Sequence, residues 1–156
     1  LKNYIITNDE HGYPIKVAVK KPKAKNSEAS IQKQIAEVFV RNGWEVVRYN
    51  SGVMQGDGRY VVFCSNITTG LNSGHPDLIC FKDLKAVRIE VKAEGGKLSA
   101  NQIKYALSGV KYGNPVIVLR SKDDAIRFIG IMEQYGLEMA VHNFYRDLKA
   151  SLPKTA

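Results

Sequence analysis

Cysteine is scarce in this chain of 156 residues, and long hydrophobic runs are missing altogether. Its two cysteines, Cys64 and Cys80, sit in the apolar stretches Val-Val-Phe-Cys and Leu-Ile-Cys-Phe, with no Cys or His partner at metal-ligand spacing. That excludes a disulfide scaffold and a structural zinc site, and it points to buried, reduced thiols. No apolar stretch approaches the roughly 20 residues that span a bilayer, so neither a transmembrane helix nor a membrane partner is expected. No basic leader with an apolar core opens the sequence, which together with the thiols predicts a cytoplasmic protein. Gly70 and Gly74 lack the Lys-Ser/Thr that a phosphate-binding glycine loop needs, and no Gly-x-Ser-x-Gly elbow occurs. Nucleoside triphosphate hydrolysis and serine-hydrolase chemistry are therefore unsupported. Acidic residues are also outnumbered: 15 Asp and Glu against 23 Lys and Arg leave a net charge of +8. Such a surplus favours polyanions, chiefly through counterion release from phosphates.

What is present fits one ordinary domain with a real core. Tyr4–Thr7 and Ile15–Val19 form two β-like runs around Asn8-Asp9-Glu10-His11-Gly12, the pattern of a hairpin. Five lysines (16, 20, 21, 23 and 25) surround Pro22. Residues 1–25 therefore read as a hairpin and basic arm, solvated or phosphate-touching, ahead of a domain at 26–156. Asn26-Ser27 predicts a helix start, and Ile31, Ile35, Val38 and Phe39 give that helix one apolar stripe. Gly43 ends it, and Trp44–Tyr49 reads as a strand. The glycine-rich segment 51–75 reads as loop, short strand over residues 60–63, and loop. Asp77–Phe81 predicts a short buried strand, and Lys82-Asp83-Leu84-Lys85 turns the chain.

Residues 86–92 alternate strictly, with Val87, Ile89 and Val91 on one face and Arg88, Glu90 and Lys92 on the other. Ser99-Ala100-Asn101-Gln102 fits a capping box for the next helix. A strand at 115–119 and helices at 121–135 and 138–150 complete the chain. The order α-β-β-β-β-α-β-α predicts an α/β fold, a mixed sheet flanked by helices, with residues 86–119 forming a parallel crossover.

Chemistry concentrates at Pro76-Asp77 and Glu90-Val91-Lys92. Glu90 and Lys92 are two apart on a strand, so they share a face. An adjacent pairing would bring Asp77 beside Glu90. Two neighbouring carboxylates repel each other, and a divalent cation relieves that repulsion, with hard oxygen ligands suiting Mg²⁺. Such an ion polarises a phosphoryl oxygen and lowers the pKa of a bound water. A lysine beside it orients that water or neutralises developing charge.

Gly74-His75-Pro76-Asp77 with Glu90-Val91-Lys92 resembles the PD-(D/E)xK nuclease superfamily. Arg48-Tyr49-Asn50-Ser51-Gly52, Gly96-Lys97-Leu98-Ser99-Ala100-Asn101-Gln102 and Glu28 narrow the resemblance to its VRR-NUC branch, the virus-type replication and repair nucleases. The similarity spans roughly residues 27–120, and the stretch between Gly52 and Gly74 is longer than that domain requires. The resemblance implies a restriction-endonuclease-like fold, with a central mixed sheet of about four strands. It implies Mg²⁺, or Mn²⁺ in its place, held by Asp77, Glu90 and the Val91 backbone carbonyl, with Lys92 at the attacking water. Glu28 would assist through a water or a second ion, and Gln102 would position the phosphate or Lys92. Arg48, Asn50, Lys97 and the arm lysines Lys20, Lys21 and Lys23 are the candidate DNA contacts. The implied activity is Mg²⁺-dependent DNA cleavage, structure-selective on branched DNA, by a homodimer in a bacterial or phage-infected cell. A sequence-specific homing or restriction-type endonuclease and a non-catalytic DNA-binding module are the alternatives.

Each candidate also has a plainer reading. Glu90 and Lys92 could form the solvated face of an edge strand. Glu28 suits the positive end of a helix, and Gln102 suits the third position of a capping box. Arg48 and Asn50 could be ordinary surface, and His75 an incidental loop residue.

Overall fold

The structure is a computed structural model that describes residues 4–8, 14–18, 27–49, 53–56, 59–62, 66–71 and 73–151, with side chains at 27–49, 66–71 and 73–145. Two strands open the chain, β1 (Tyr4–Asn8) and β2 (Pro14–Ala18), paired antiparallel with Asn8 opposite Pro14. The expected hairpin is therefore present, shifted by one residue at its inner ends. Helix α1 (Glu28–Arg41) follows, with the Ser27 side chain accepting from the Ser30 N–H. Its stripe Ile31, Ile35, Val38 and Phe39 is buried, as the helical spacing predicts.

Strand β3 (Glu45–Arg48) leads into β4 (Val53–Gly56) and β5 (Arg59–Val62), which pair only with each other. The single short strand expected in this segment is thus a two-stranded hairpin, outside the main sheet. The residues between its strands, Asp57-Gly58, are a preferred two-residue hairpin turn sequence and were the available signal.

The main sheet adds β6 (Leu78–Lys82), β7 (Lys85–Val91) and β8 (Val116–Leu119), in the order β3-β6-β7-β8. Pairing is antiparallel for β3–β6 and β6–β7 and parallel for β7–β8, so the expected mixed four-stranded sheet flanked by helices is present. Asp83 and Leu84 turn β6 into β7 with φ of 49° and 61°, the left-handed pair that a two-residue hairpin requires. Helix α2 (Ala100–Lys111) makes the parallel crossover to β8. Helices α3 (Lys122–Tyr135) and α4 (Leu137–Ser151) close the chain, with Gly136 between them at φ 90°.

Two cores result. Helices α1, α3 and α4 cover one sheet face, burying Cys80, Val87, Ile89, Val91, Ile117 and Leu119 against Phe39 and Phe128. On the other face α2 covers the β8 side, with Tyr105 and Ala106 against Val116. The strand β7 therefore lies inside the sheet and is covered on both sides near its C-terminal end. A solvated edge strand is ruled out for Glu90 and Lys92. Cys80 is a buried free thiol, as expected, and burial pushes it up to about 12; Cys64 lies outside the described residues. Among the described residues no helix is long and apolar enough to cross a membrane.

Candidate functional site

Antiparallel register sets the site. Leu78 pairs with Ile89, so Asp77, one residue before β6, falls beside the end of β7. Its Oδ2 accepts from the Val91 N–H at 2.7 Å. The Asp77 carbonyl in turn accepts from the Tyr49 N–H at 2.9 Å, tying the end of β3 to the same point. The loop before Asp77 is pinned from the other side. Gly74 has φ +85°, and a Cβ there would stand 2.5 Å from the Asn101 backbone carbon. Only glycine lets this loop approach α2 so closely. Ser73 Oγ accepts from Asn101 Nδ2 at 2.6 Å beside it.

Glu90 and Lys92 are both buried, at 2% and 9% exposure. Lys92 Nζ donates to Glu90 Oε1 at 2.6 Å, and Gln102 Nε2 donates to the same oxygen. Gln102 reaches it because the capping box fixes it at the start of α2. Its own N–H donates to Ser99 Oγ, while its Oε1 accepts from the Ser99 N–H at 2.8 Å. The amide thus caps the helix through its oxygen, as the capping box predicts, and binds Glu90 through its nitrogen, rather than the phosphate or Lys92 named as its expected partners. A small cleft of about 10 Å³, room for roughly one water, is lined by Gly74, Glu90, Gln102 and Val118 among others.

Glu28 comes from the opposite side. Its Oε1 accepts from the Ala93 N–H at 3.2 Å, joining the first turn of α1 to the residue after Lys92. The stretch 93–96 is held by Arg120, whose Nη1 donates to the carbonyls of Ala93 and Gly96, each at 2.9 Å. Sequence reasoning overlooked Arg120, because nothing local distinguishes an arginine that follows a strand. It also undervalued His75, which is 4% exposed and packs edge-on against Tyr105 with ring centroids 4.9 Å apart. Only the tertiary fold brings those two rings together.

The electrostatics follow from burial. Glu90 is pushed up to about 7, first by desolvation and then by the Asp77 charge, while Lys92 pulls it down. Asp77 is also raised above its ordinary value, by desolvation, against the opposing hydrogen bond from Val91 and the charge of Lys92. Glu28 adds negative charge that raises both. The site thus holds more acid than its one buried lysine balances. Among the described residues, no group of three or more His, Cys, Asp or Glu could hold a metal ion. Mg²⁺, however, is commonly bound through one or two carboxylates and keeps several waters. The hard oxygens of Asp77 and Glu90, joined by the Val91 carbonyl, have the donor chemistry for it.

The fold brings Asp77, Glu90, Lys92, Gln102 and Glu28 to the C-terminal end of β7. Of the candidate DNA contacts, Arg48 and Lys97 are exposed beside this region. Asn50, Lys20, Lys21 and Lys23 lie outside the described residues. No family model matches the chain, and no curated protein matches its sequence.

Proposed function

We propose that the chain is a metal-dependent DNA nuclease of the VRR-NUC type, hydrolysing phosphodiester bonds at the C-terminal end of β7. One observation carries the reading. Two acids, Asp77 just before β6 and Glu90 on β7, converge with Lys92 at the C-terminal end of β7, and burial holds both acids above their ordinary pKa values. A purely structural arrangement gains nothing from that imbalance, whereas a site for a divalent ion and a phosphate uses it. The ordered motif resemblance from Glu28 to Gln102 and the +8 charge support the same reading.

Asp77, Glu90 and the Val91 carbonyl would hold Mg²⁺, with Mn²⁺ as a substitute, and the bound ion would supply Lewis-acid polarisation of a phosphoryl oxygen and a more acidic water. The chain's own residues do the rest. Lys92, tethered to Glu90, places a cation where negative charge grows on the phosphorane as water attacks in line. Gln102 fixes the rotamer of Glu90. Glu28, held by the Ala93 N–H, sets a third acid beside the site, suited to holding a water. The preferred substrate is branched DNA or a junction, with sequence-specific cleavage as the second choice. A homodimer, which would present one such centre to each strand, is the assembly this reading expects.

The test is incubation with four-way junction, flap, duplex and single-stranded DNA in Mg²⁺, Mn²⁺ or EDTA, alongside sedimentation. Metal-dependent cleavage is expected, and Asp77→Ala and Glu90→Ala should each lower its rate by about 10²-fold or more. Salt-sensitive DNA binding without any metal-dependent product would instead support a non-catalytic binding module.

A further inference from the structure

A groove of about 440 Å³ runs between α1 and β3. Ala29, Ala36 and Leu78 contribute small or apolar surface to it, Gln32 and Lys33 come from the helix wall, and Arg48 comes from the strand wall. No Asp or Glu lines it. Its position is as informative as its charge. Ala29 follows Glu28 and Leu78 follows Asp77, so two lining residues are chain neighbours of acids of the proposed site. Arg48 is near enough to Asp77 to act on its charge. Lys33 lies five residues along α1 from Glu28, about 7.5 Å by helical rise, on the groove wall that Ala29 and Ala36 share.

We infer that this groove holds the sugar–phosphate backbone of the DNA strand flanking the scissile phosphate, with Lys33 and Arg48 reaching phosphates from its two walls. The assignment rests on the nuclease reading and adds to it the path of the strand. Cations on opposite walls over a narrow apolar floor match a backbone, which is charged on one side and has a sugar on the other. No aromatic ring lines the groove to stack a base. The contact is therefore independent of sequence.

Equilibrium binding of a labelled DNA duplex by the full chain in EDTA, across about 50 to 200 mM KCl, tests the inference. Lys33→Ala and Arg48→Ala should each reduce the steepness of log affinity against log salt by about 0.9, and the double variant by about twice that, on any sequence. Gln32→Glu, which adds an acid to the wall at nearly constant shape, should weaken binding by about threefold or more at low salt. Lys85→Ala, at the opposite end of β7 from the acids, should leave the steepness unchanged. A folded double variant with the parent's salt dependence would overturn the inference, as would an equal loss of affinity for polyglutamate. Mg²⁺-dependent cleavage with unchanged salt dependence would remove the groove assignment alone. Altered salt dependence without cleavage would keep the groove as a backbone clamp and remove the nuclease reading.

Discussion

On one face of β7, Val87, Ile89 and Val91 are 2%, 0% and 2% exposed; on the other, Glu90 and Lys92 are 2% and 9% exposed. Burial is nearly the same, yet the chemistry is opposite. The apolar face rests against α1, α3 and α4 and needs no partners beyond close packing. The polar face needs partners for its charges: Lys92 and Gln102 serve Glu90, and the Asn114 carbonyl and Tyr105 ring serve Arg88, whose buried Nε has no hydrogen-bond partner. The partnering is nevertheless unequal, since Glu90 and Asp77 both remain above their ordinary pKa values. One face is made for stability. The other tolerates a cost that stability alone does not explain.

Substitutions sharpen that contrast most. Glu90→Ala strands the Lys92 cation in a buried site and should cost about 3–5 kcal/mol in denaturant unfolding. Ile89→Ala, on the apolar face, should cost a comparable 2–5 kcal/mol through lost burial and a cavity, roughly. The paired change Glu90→Gln with Lys92→Met separates the faces. Removing both charges at nearly constant shape should leave stability unchanged or raise it by about 1–4 kcal/mol while abolishing cleavage. A large loss of stability in that double variant would mean that the polar face is structural.

The pH dependence is the next largest effect. Glu90 moves from 4.5 to about 7 on folding, so the folded chain holds its proton more tightly than the unfolded chain does. Its contribution to stability is fully present below about 4.5 and is lost as pH rises through about 7, a change on the order of 3 kcal/mol. Asp77 acts in the same direction. Melting of the metal-free chain should therefore fall in temperature across this window, and the slope should flatten in Glu90→Gln. A melting temperature that rises over the same window in the parent would break the comparison.

Much of this was legible in the sequence. Alternation over 86–92 identified both faces of β7, Ser99 and Gln102 announced the start of α2, and the spacing from Asp77 to Glu90 anticipated an antiparallel pair. The depth of the site was not legible. Alternating charge looks the same in a half-exposed strand as in an interior one, and only β8 on one side and α2 above distinguish them. The close approach of Gly74 to α2 and the anchoring by Arg120 were hidden for the same reason, because their partners, Asn101 and the carbonyls of Ala93 and Gly96, lie 24 to 27 residues away. The β4–β5 hairpin was missed differently. The Asp-Gly pair at 57–58, a sequence signal for a hairpin, was in plain sight, but the weak apolar character of Val-Met-Gln-Gly concealed the first strand.

Calorimetric titration of Mn²⁺ into the parent and into an Asp77→Asn, Glu90→Gln variant tests the central claim most directly. The carboxylate pair predicts saturable binding by the parent, tightening as pH rises toward about 7 while the ion displaces the proton on Glu90, and no such binding by a variant that melts no lower. Equal binding by both proteins, or none by the parent at neutral pH, would contradict it.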